Sequence, residues 1–243
     1  MTRRANHGVI SRPPSAVRES TMRGRFITFE GGEGTGKSTH STLLADRLTS
    51  AGIGVMLTRE PGGSPGAEVI RHVLLSGVAK PLGVGAEALL FAAARGDHVR
   101  NTIEPALAQG VWVICDRFID STRVYQGALG HLDPLFIRAL ERVTVGDLKP
   151  DLTFILDVPA DVGLARASKR RGDQVADRFE AESRAFHEAL REAYHELVVA
   201  EPDRCVAIDA TVPKPAVAER IWKIVTERLG STRVSTLTAG AAL

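Results

Sequence analysis

The chain has 243 residues, of which 44% are hydrophobic and 25% are charged. This length and composition are those of a globular protein that buries a sizeable core. No uninterrupted apolar run approaches the roughly 20 residues of a membrane-spanning helix, so we expect no contact with a membrane. The net charge is +2, but residues 1–25 hold six arginines against one glutamate. The remainder is therefore mildly acidic, which argues against nucleic-acid binding through a broad basic face.

The two ends of the chain differ in composition from its centre. Residues 1–22 are basic, contain a Pro-Pro pair and show no hydrophobic periodicity, so we predict a disordered extension. Residues 231–243 are predicted to form a flexible tail, and residues 23–230 a single domain. Cys115 and Cys205 both lie in apolar runs, which indicates buried, reduced thiols and a cytoplasmic protein.

Apolar runs alternate with helical patterns between the two ends. The predicted strands are almost continuously apolar, as parallel strands covered on both faces are; they span residues 26–30, 55–58, 111–116, 152–157 and 205–209. The predicted helices span residues 37–50, 67–75, 86–109, 134–145, 160–170, 179–200 and 214–229. Pro105 is expected to break or kink the third helix unless a new turn starts there. This alternation predicts an α/β fold, with a doubly wound parallel sheet of about five strands flanked by helices.

A glycine-rich segment separates the first predicted strand from the first predicted helix. Its sequence, GGEGTGKST, fits the spacing G-x-x-x-x-G-K-[ST]. The glycines let backbone N–H groups converge on phosphate oxygens, and the helix N-terminus adds positive charge. We expect Lys37 to face solvent and reach the β- and γ-phosphates, and Ser38 to bind Mg²⁺. The pattern predicts an ATP-binding loop made of Gly31, Gly32, Glu33, Gly34, Thr35, Gly36, Lys37, Ser38 and Thr39.

Asp116 and Arg117 end the third predicted strand, VWVICDRF. An aspartate there suits the Mg²⁺ side of a phosphate loop, and the arginine suits the phosphate of an acceptor, which a guanidinium binds bidentately. The chain lacks the Asn-Lys-x-Asp motif of GTPases and the Asp-Glu strand end of ATPase motors. A kinase for a small acceptor is therefore favoured over a nucleotide-dependent switch. Asp116 as a structural cap and Arg117 as a surface salt-bridge partner are the alternative interpretations.

Taken together, the motifs resemble those of thymidylate kinases, which transfer the γ-phosphate of ATP to dTMP. The resemblance covers residues 26–229 and is carried by FEGGEGTGKST, TREPGG, LLFAAARGDHV, DRFIDSTRVYQG, PDLTFILDV and DRFE. It implies a P-loop NTPase fold of the nucleoside monophosphate kinase type, ATP and Mg²⁺ as cofactors, dTMP as acceptor in dTTP biosynthesis, and a homodimer. Another nucleoside monophosphate or small-molecule kinase, or a switch ATPase, is the alternative.

By this resemblance, three charged residues meet the phosphate and sugar of dTMP. Arg59, in TREPGG, and Arg117 bind the phosphate, and Glu33 lies near the 3′-hydroxyl. An acid in an anion-binding loop is electrostatically costly, which itself argues for a specific role of Glu33.

The resemblance also implies a pocket for the thymine base. Phe91 stacks on the ring and Arg95 bonds a ring carbonyl; the two lie four residues apart and so share one face of the predicted helix. Thr122 and Gln126 read the ring edge by hydrogen bonds, and Tyr125 packs near the deoxyribose.

The acceptor is already an oxyanion at neutral pH, so transfer needs positioning and charge neutralisation but no general base. We assign Lys37, Arg59 and Arg117 to an electrostatic clamp, and Ser38 and Asp116 to Mg²⁺.

Residues 166–178, RASKRRGDQVADR, hold four arginines and one lysine. In the family that the chain resembles, the catalytic arginine lies in the phosphate loop or, in bacterial-type members, in a lid. Because this phosphate loop contains no arginine, the resemblance implies that the segment is a mobile basic lid of the bacterial type. A solvated charged loop is the alternative. Arg171 and Arg178 are the leading candidates for the catalytic residue.

Overall fold

The computed structural model describes residues 23–172 and 179–230. The predicted N-terminal extension and C-terminal tail lie outside the described residues, as do residues 173–178 of the predicted lid, Arg178 among them.

The sheet has five parallel strands in the order β2-β3-β1-β4-β5. These are β1 (Phe26–Glu30), β2 (Val55–Arg59), β3 (Trp112–Asp116), β4 (Leu152–Asp157) and β5 (Cys205–Asp209), which confirms the predicted fold class. Asp116 pairs with Phe29 on one side and with Arg59 on the other. The C-terminal ends of β1, β2 and β3 therefore meet at one edge, where ligands of open α/β sheets bind.

Helices cover both faces of this sheet. They are α1 (Lys37–Ser50), α2 (Pro65–Leu75), α3 (Gly83–His98), α4 (Glu104–Ala108), α5 (Ile119–Thr122), α6 (Pro134–Thr144), α7 (Ala160–Arg171), α8 (Arg184–Ala200) and α9 (Lys214–Leu229). Leu48 of α1 and Ile221 of α9 share one apolar core with Phe29, whereas Leu107 of α4 shares another with Phe26. A strand buried from both faces has to be apolar throughout, which explains why β1 has no exposed residue.

Two predicted helix boundaries are wrong. The helix predicted over 86–109 consists of α3, a π-helical segment (Val99–Ile103) and α4. Pro105 lies in the first turn of α4, where its missing N–H is tolerated. The helix predicted from residue 179 begins instead at Arg184, because the Ser183 side chain accepts a hydrogen bond from the backbone N–H of Phe186 and caps the first turn (3.2 Å).

The described part of the predicted lid is helical, in agreement with the helix predicted over 160–170: residues 166–171 form the last turns of α7. The DRFIDSTRVYQG motif after β3 folds into α5 and a second π-helical segment (Arg123–Ala128), which was not predicted. Cys115 and Cys205 are buried and free, as predicted.

Among the described residues no single helix is long and apolar enough to cross a membrane. The pair formed by α2 and the helical path Lys80–Ala108 meets that test on length and composition, but it is bent by 85°.

Candidate active site

A cleft of about 360 Å³ opens at the C-terminal edge of β1, β2 and β3. Most of the predicted site residues lie together in its wall: Glu33, Gly34, Gly36, Lys37, Ser38, Thr39, Arg59, Phe91, Asp116, Arg117, Thr122, Tyr125 and Gln126. Gly31, Gly32 and Thr35 border a smaller cavity on another side of the phosphate loop.

The conformation of the phosphate loop depends on its glycines. Gly34 has a φ of 67°, and a Cβ there would lie 2.0 Å from the carbonyl oxygen of Gly163 in α7. Gly36 has a φ of 95° and caps α1 in the left-handed region, which favours glycine. The loop therefore packs closely on α7 while it presents the N-terminus of α1 to the cleft.

Lys37 does not face solvent, so that expectation is wrong. Only 7% of the residue is exposed, and its Nζ donates hydrogen bonds to the carbonyl oxygens of Gly31 (3.1 Å) and Gly32 (2.6 Å). Burial and the charge of Arg117 lower the pKa of Lys37 to about 8, against the opposing effect of Glu33 and other carboxylates. The lysine folds back onto the loop because these carbonyl oxygens satisfy its buried ammonium group.

Ser38 and Asp116 meet beside Lys37. The Ser38 hydroxyl donates a hydrogen bond to Oδ2 of Asp116, which brings a hydroxyl and a carboxylate oxygen to one point on the cleft wall. Mg²⁺ prefers such oxygen ligands and typically takes one or two from the protein, with phosphate and water oxygens completing the shell. No group of three or more His, Cys, Asp or Glu residues that could hold a metal occurs in the described ranges. The pair fits Mg²⁺ held jointly with nucleotide phosphates.

Arg117 connects the third strand to the phosphate loop. Its guanidinium donates to Oε1 of Glu33 (2.6 Å) and to the carbonyl oxygen of Gly31 (3.2 Å), and it stacks on the Tyr125 ring at 5.3 Å. Burial alone would raise the pKa of Glu33, but the charges of Arg117 and Lys37 outweigh it and hold that pKa below its ordinary value. Arg117 has a φ of 71°, a conformation rare for residues other than glycine and common at functional sites.

Arg59 lies on the opposite side of the cleft, at the end of β2. Its Nη2 atom contacts both carboxylate oxygens of Glu68 in α2, at 3.0 and 3.2 Å. The pair is about half exposed, so an incoming phosphate can compete with Glu68 for the guanidinium.

The predicted base pocket is only partly assembled as expected. Phe91, Thr122, Tyr125 and Gln126 line the cleft, and the Thr122 hydroxyl is buried without a hydrogen-bond partner among the described residues. A buried hydroxyl of this kind normally has a partner, so Thr122 is free to bond a ligand.

Arg95 does not line the cleft, although it is on the same helix as Phe91. It is 2% exposed, and its guanidinium donates to Oε2 of Glu60 (2.7 Å) and to the carbonyl oxygen of Phe118 (3.1 Å). Glu60 is itself buried and needs a cation, which Arg95 supplies. The predicted contact between Arg95 and a carbonyl group of the thymine ring stays a prediction.

The described arginines of the lid differ in position. Arg170 and Arg171 in the last turn of α7 both bind the carboxylate of Glu180, at 2.8 and 2.9 Å. Arg170 lines the cleft and Arg171 does not. Arg166 instead donates to the carbonyl oxygen of Ala210 (3.0 Å).

Sequence reasoning missed three features of the site. Phe179 lines the cleft and packs on Tyr125 (ring centroids 5.3 Å apart) and on Phe91 (6.2 Å); its place in the DRFE motif was the available signal. On the other side of Gly34 and Gly36, a second cavity of about 280 Å³ is bordered by His40, Arg166, Arg170 and Lys214, which only tertiary structure brings together.

Glu30, at the end of β1, is the third missed feature. Its carboxylate accepts hydrogen bonds from the Phe118 N–H (2.8 Å), the Ser121 hydroxyl (2.7 Å) and the Tyr194 hydroxyl (2.9 Å). Burial, followed by the charge of Asp120, raises its pKa to about 7. Glu30 thereby fixes the segment that carries Arg117.

Comparison with known proteins identifies the family. The family model described as "Thymidylate kinase" matches residues 29–221. The thymidylate kinase of Bradyrhizobium diazoefficiens is 60% identical over 221 residues, covering 91% of this chain and 97% of the relative. That of Afipia carboxidovorans is 62% identical over 216 residues, covering 89% and 95%.

A solved structure agrees with these relatives. The crystal structure of thymidylate kinase from Ehrlichia chaffeensis matches with a TM-score of 0.66 and 35% identity, and the match covers 84% of this chain and 99% of that one. The chain belongs to the thymidylate kinase family of phosphotransferases.

Proposed function

We propose that the chain phosphorylates dTMP to dTDP, by transfer of the γ-phosphoryl group of ATP to the 5′-phosphate of dTMP. The observation that carries this proposal is the cleft, in which Arg59 and Arg117 face the phosphate loop beside a pocket walled by Phe91 and Tyr125. Two guanidinium groups and one flat apolar pocket are what a nucleoside monophosphate requires.

The donor nucleotide binds along the phosphate loop. Its phosphates lie at the N-terminus of α1, where they displace the carbonyl oxygens of Gly31 and Gly32 from Lys37. Its adenine and ribose extend into the second cavity, next to His40 and Arg166. Ser38 and Asp116 would hold Mg²⁺, which would supply positive charge against the donor phosphates.

The acceptor binds across the cleft from the donor. Arg59 leaves Glu68 and Arg117 turns from Glu33 to grip the 5′-phosphate, while Glu33 lies near the sugar. Phe91 stacks on the base, and Thr122 and Gln126 form hydrogen bonds with the edge of its ring. Polar groups at the edge of the apolar pocket reject bases with the wrong hydrogen-bonding edge more strongly than apolar walls alone would.

Transfer follows from positioning and electrostatics. The dTMP oxygen is already an anion and attacks the γ-phosphorus in line, as ADP leaves. Lys37 and Arg117 stabilise the charge that develops on the transferring group. Arg170 is the described lid residue on the cleft wall and approaches the same oxygens when the lid closes, which also excludes water.

We further propose a cytoplasmic homodimer. Large apolar side chains are exposed along α2, α3 and α6, among them Val69, Leu89, Leu135 and Val143, and an isologous dimer would bury them. Light scattering on the purified chain tests this: a mass near 26 kDa at micromolar concentration contradicts the dimer.

Acceptor-dependent release of ADP tests the function. With MgATP, the chain should release ADP rapidly when dTMP is added, more slowly with dUMP, and poorly with CMP, GMP or AMP. Preference for AMP or GMP would indicate another nucleoside monophosphate kinase. Slow ATP hydrolysis that no acceptor accelerates would indicate a nucleotide-dependent switch.

A further inference from the structure

One face of α8 supports the phosphate loop from outside the substrate cleft. Three of its side chains recur at positions i, i+4 and i+7 and border a small cavity beside the loop: His187, Arg191 and Tyr194. Arg191 binds Asp157 through two hydrogen bonds (2.6 and 2.8 Å), and Tyr194 donates to Glu30 (2.9 Å). Both therefore hold the ends of strands that carry the site.

His187 on this face has an unsatisfied ring nitrogen. The residue is 5% exposed, and its Nε2 atom is buried without a hydrogen-bond partner among the described residues. Burial lowers the pKa of His187, so the ring is neutral at pH 7, although the carboxylates of Glu33, Glu182 and Glu180 act in the opposite direction. Buried polar atoms of this kind are nearly always hydrogen-bonded, often to ordered water.

The cavity next to His187 has a volume of about 20 Å³, which is room for one water molecule. Its wall also includes Gly32, Glu33, Asp157 and Arg191, so it is polar enough to offer a water further hydrogen bonds. An apolar void of the same size would stay dry.

We propose that His187 is a positioning residue for the phosphate loop: its Nε2 binds one water molecule, which ties the imidazole to the loop at Gly32 and Glu33. On the α7 side the loop is already fixed by close packing, since a Cβ on Gly163 would lie 2.5 Å from the Glu33 carbonyl oxygen. On the α8 side the water-mediated contact supplies the matching constraint.

Loss of the water-mediated contact should impair the use of the acceptor, dTMP. Under the proposed function, on which this inference rests, Glu33 lies near the sugar of dTMP, and Arg117, which contacts Glu33 at 2.6 Å, turns from it to the phosphate. A loop segment that shifts by a fraction of an ångström misplaces both groups, and small misplacements are costly in rate. The donor phosphates depend more on the amides at the start of α1, which are farther along the loop.

The test compares two side chains of similar shape, His187→Gln and His187→Met. Gln places a polar atom near the position of Nε2, whereas Met fills the same space without a hydrogen bond. The proposal predicts that the Met variant loses about tenfold in kcat/KM for dTMP, with KM for ATP within about twofold of the parent. The Gln variant should stay within about threefold, and both should retain the parental circular dichroism. His72→Gln, at an exposed position of α2 that borders none of the cavities described above, is the matched control and should change nothing.

Two outcomes overturn the proposal. If the Met variant is as active as the parent, His187 only fills space. If Gln and Met lose activity equally, the imidazole ring itself is needed and the water-mediated contact is not. An inactive parent chain would instead contradict the proposed function, so the two failures are distinguishable.

Discussion

The lowered pKa of Lys37 leads to a specific pH dependence of kcat/KM for ATP. Burial and Arg117 lower its pKa to about 8, from an ordinary value of 10.5. Only the protonated form can bind the donor phosphates, and kcat/KM reports ionisations of the free enzyme. We therefore expect kcat/KM for ATP to fall with a slope of one above pH 8, so that it is about tenfold lower at pH 9 than on its plateau.

The assay measures initial rates from pH 7.5 to 9.5, a window above the second phosphate ionisation at about 6. At saturating ATP the bound phosphates restore the proton on Lys37, so kcat/KM for dTMP should stay flat up to pH 9 and serves as the internal control. A flat kcat/KM for ATP across the window would refute the reasoning, since it would mean that Glu33, Asp116 and Glu30 fully offset the burial of Lys37.

Four further predictions concern other parts of the molecule. Lys37→Ala should abolish most transfer with an unchanged circular dichroism spectrum; near-normal turnover would contradict the phosphate-loop assignment. Arg170→Ala should lower kcat by roughly 10³-fold with little change in KM for dTMP, whereas Arg171→Ala should cost less than about threefold; the reverse ranking in steady-state kinetics would exchange their roles. Glu30 has a folded pKa of about 7, above its ordinary 4.5, so the native state binds the extra proton and stability falls as pH rises from 4.5 to 7. This loss is on the order of 3 kcal/mol, and Glu30→Gln should remove it in urea titrations at pH 5 and pH 8. Deletion of residues 1–21 should change neither Tm nor activity, and a lower Tm would show that they pack on the body.

The strands and the phosphate loop were predictable because their signals are local. β1, β4 and β5 are apolar runs bounded by polar residues, and their limits agree with the prediction to the residue. The phosphate loop was predictable because its backbone needs glycine at fixed positions, and the sequence shows these glycines directly.

The orientation of charged side chains was not predictable in the same way. Arg95 shares a helix face with Phe91 by spacing, yet it turns to Glu60, because that carboxylate is buried and needs a cation. Lys37 turns to two loop carbonyl oxygens, which satisfy its buried ammonium group. Glu60 is distant from Arg95 in sequence, and the loop carbonyls face Lys37 only in the folded loop. Hydrophobic periodicity carries no information on either kind of partner.

Helix starts were missed where a single side chain decides them. Ser183 caps α8 four residues after the point expected from apolar spacing, and this leaves Phe179 free of the helix to pack on Tyr125. The second cavity beside the loop was missed because His40 and Lys214 are far apart in sequence.

The most direct test of the account is product identification by ³¹P NMR, with the purified chain, MgATP and an equimolar mixture of dTMP and AMP. We expect dTDP and ADP to form in equal amounts from dTMP and ATP, while AMP is left unchanged. Consumption of AMP ahead of dTMP, or release of inorganic phosphate without dTDP, would contradict it.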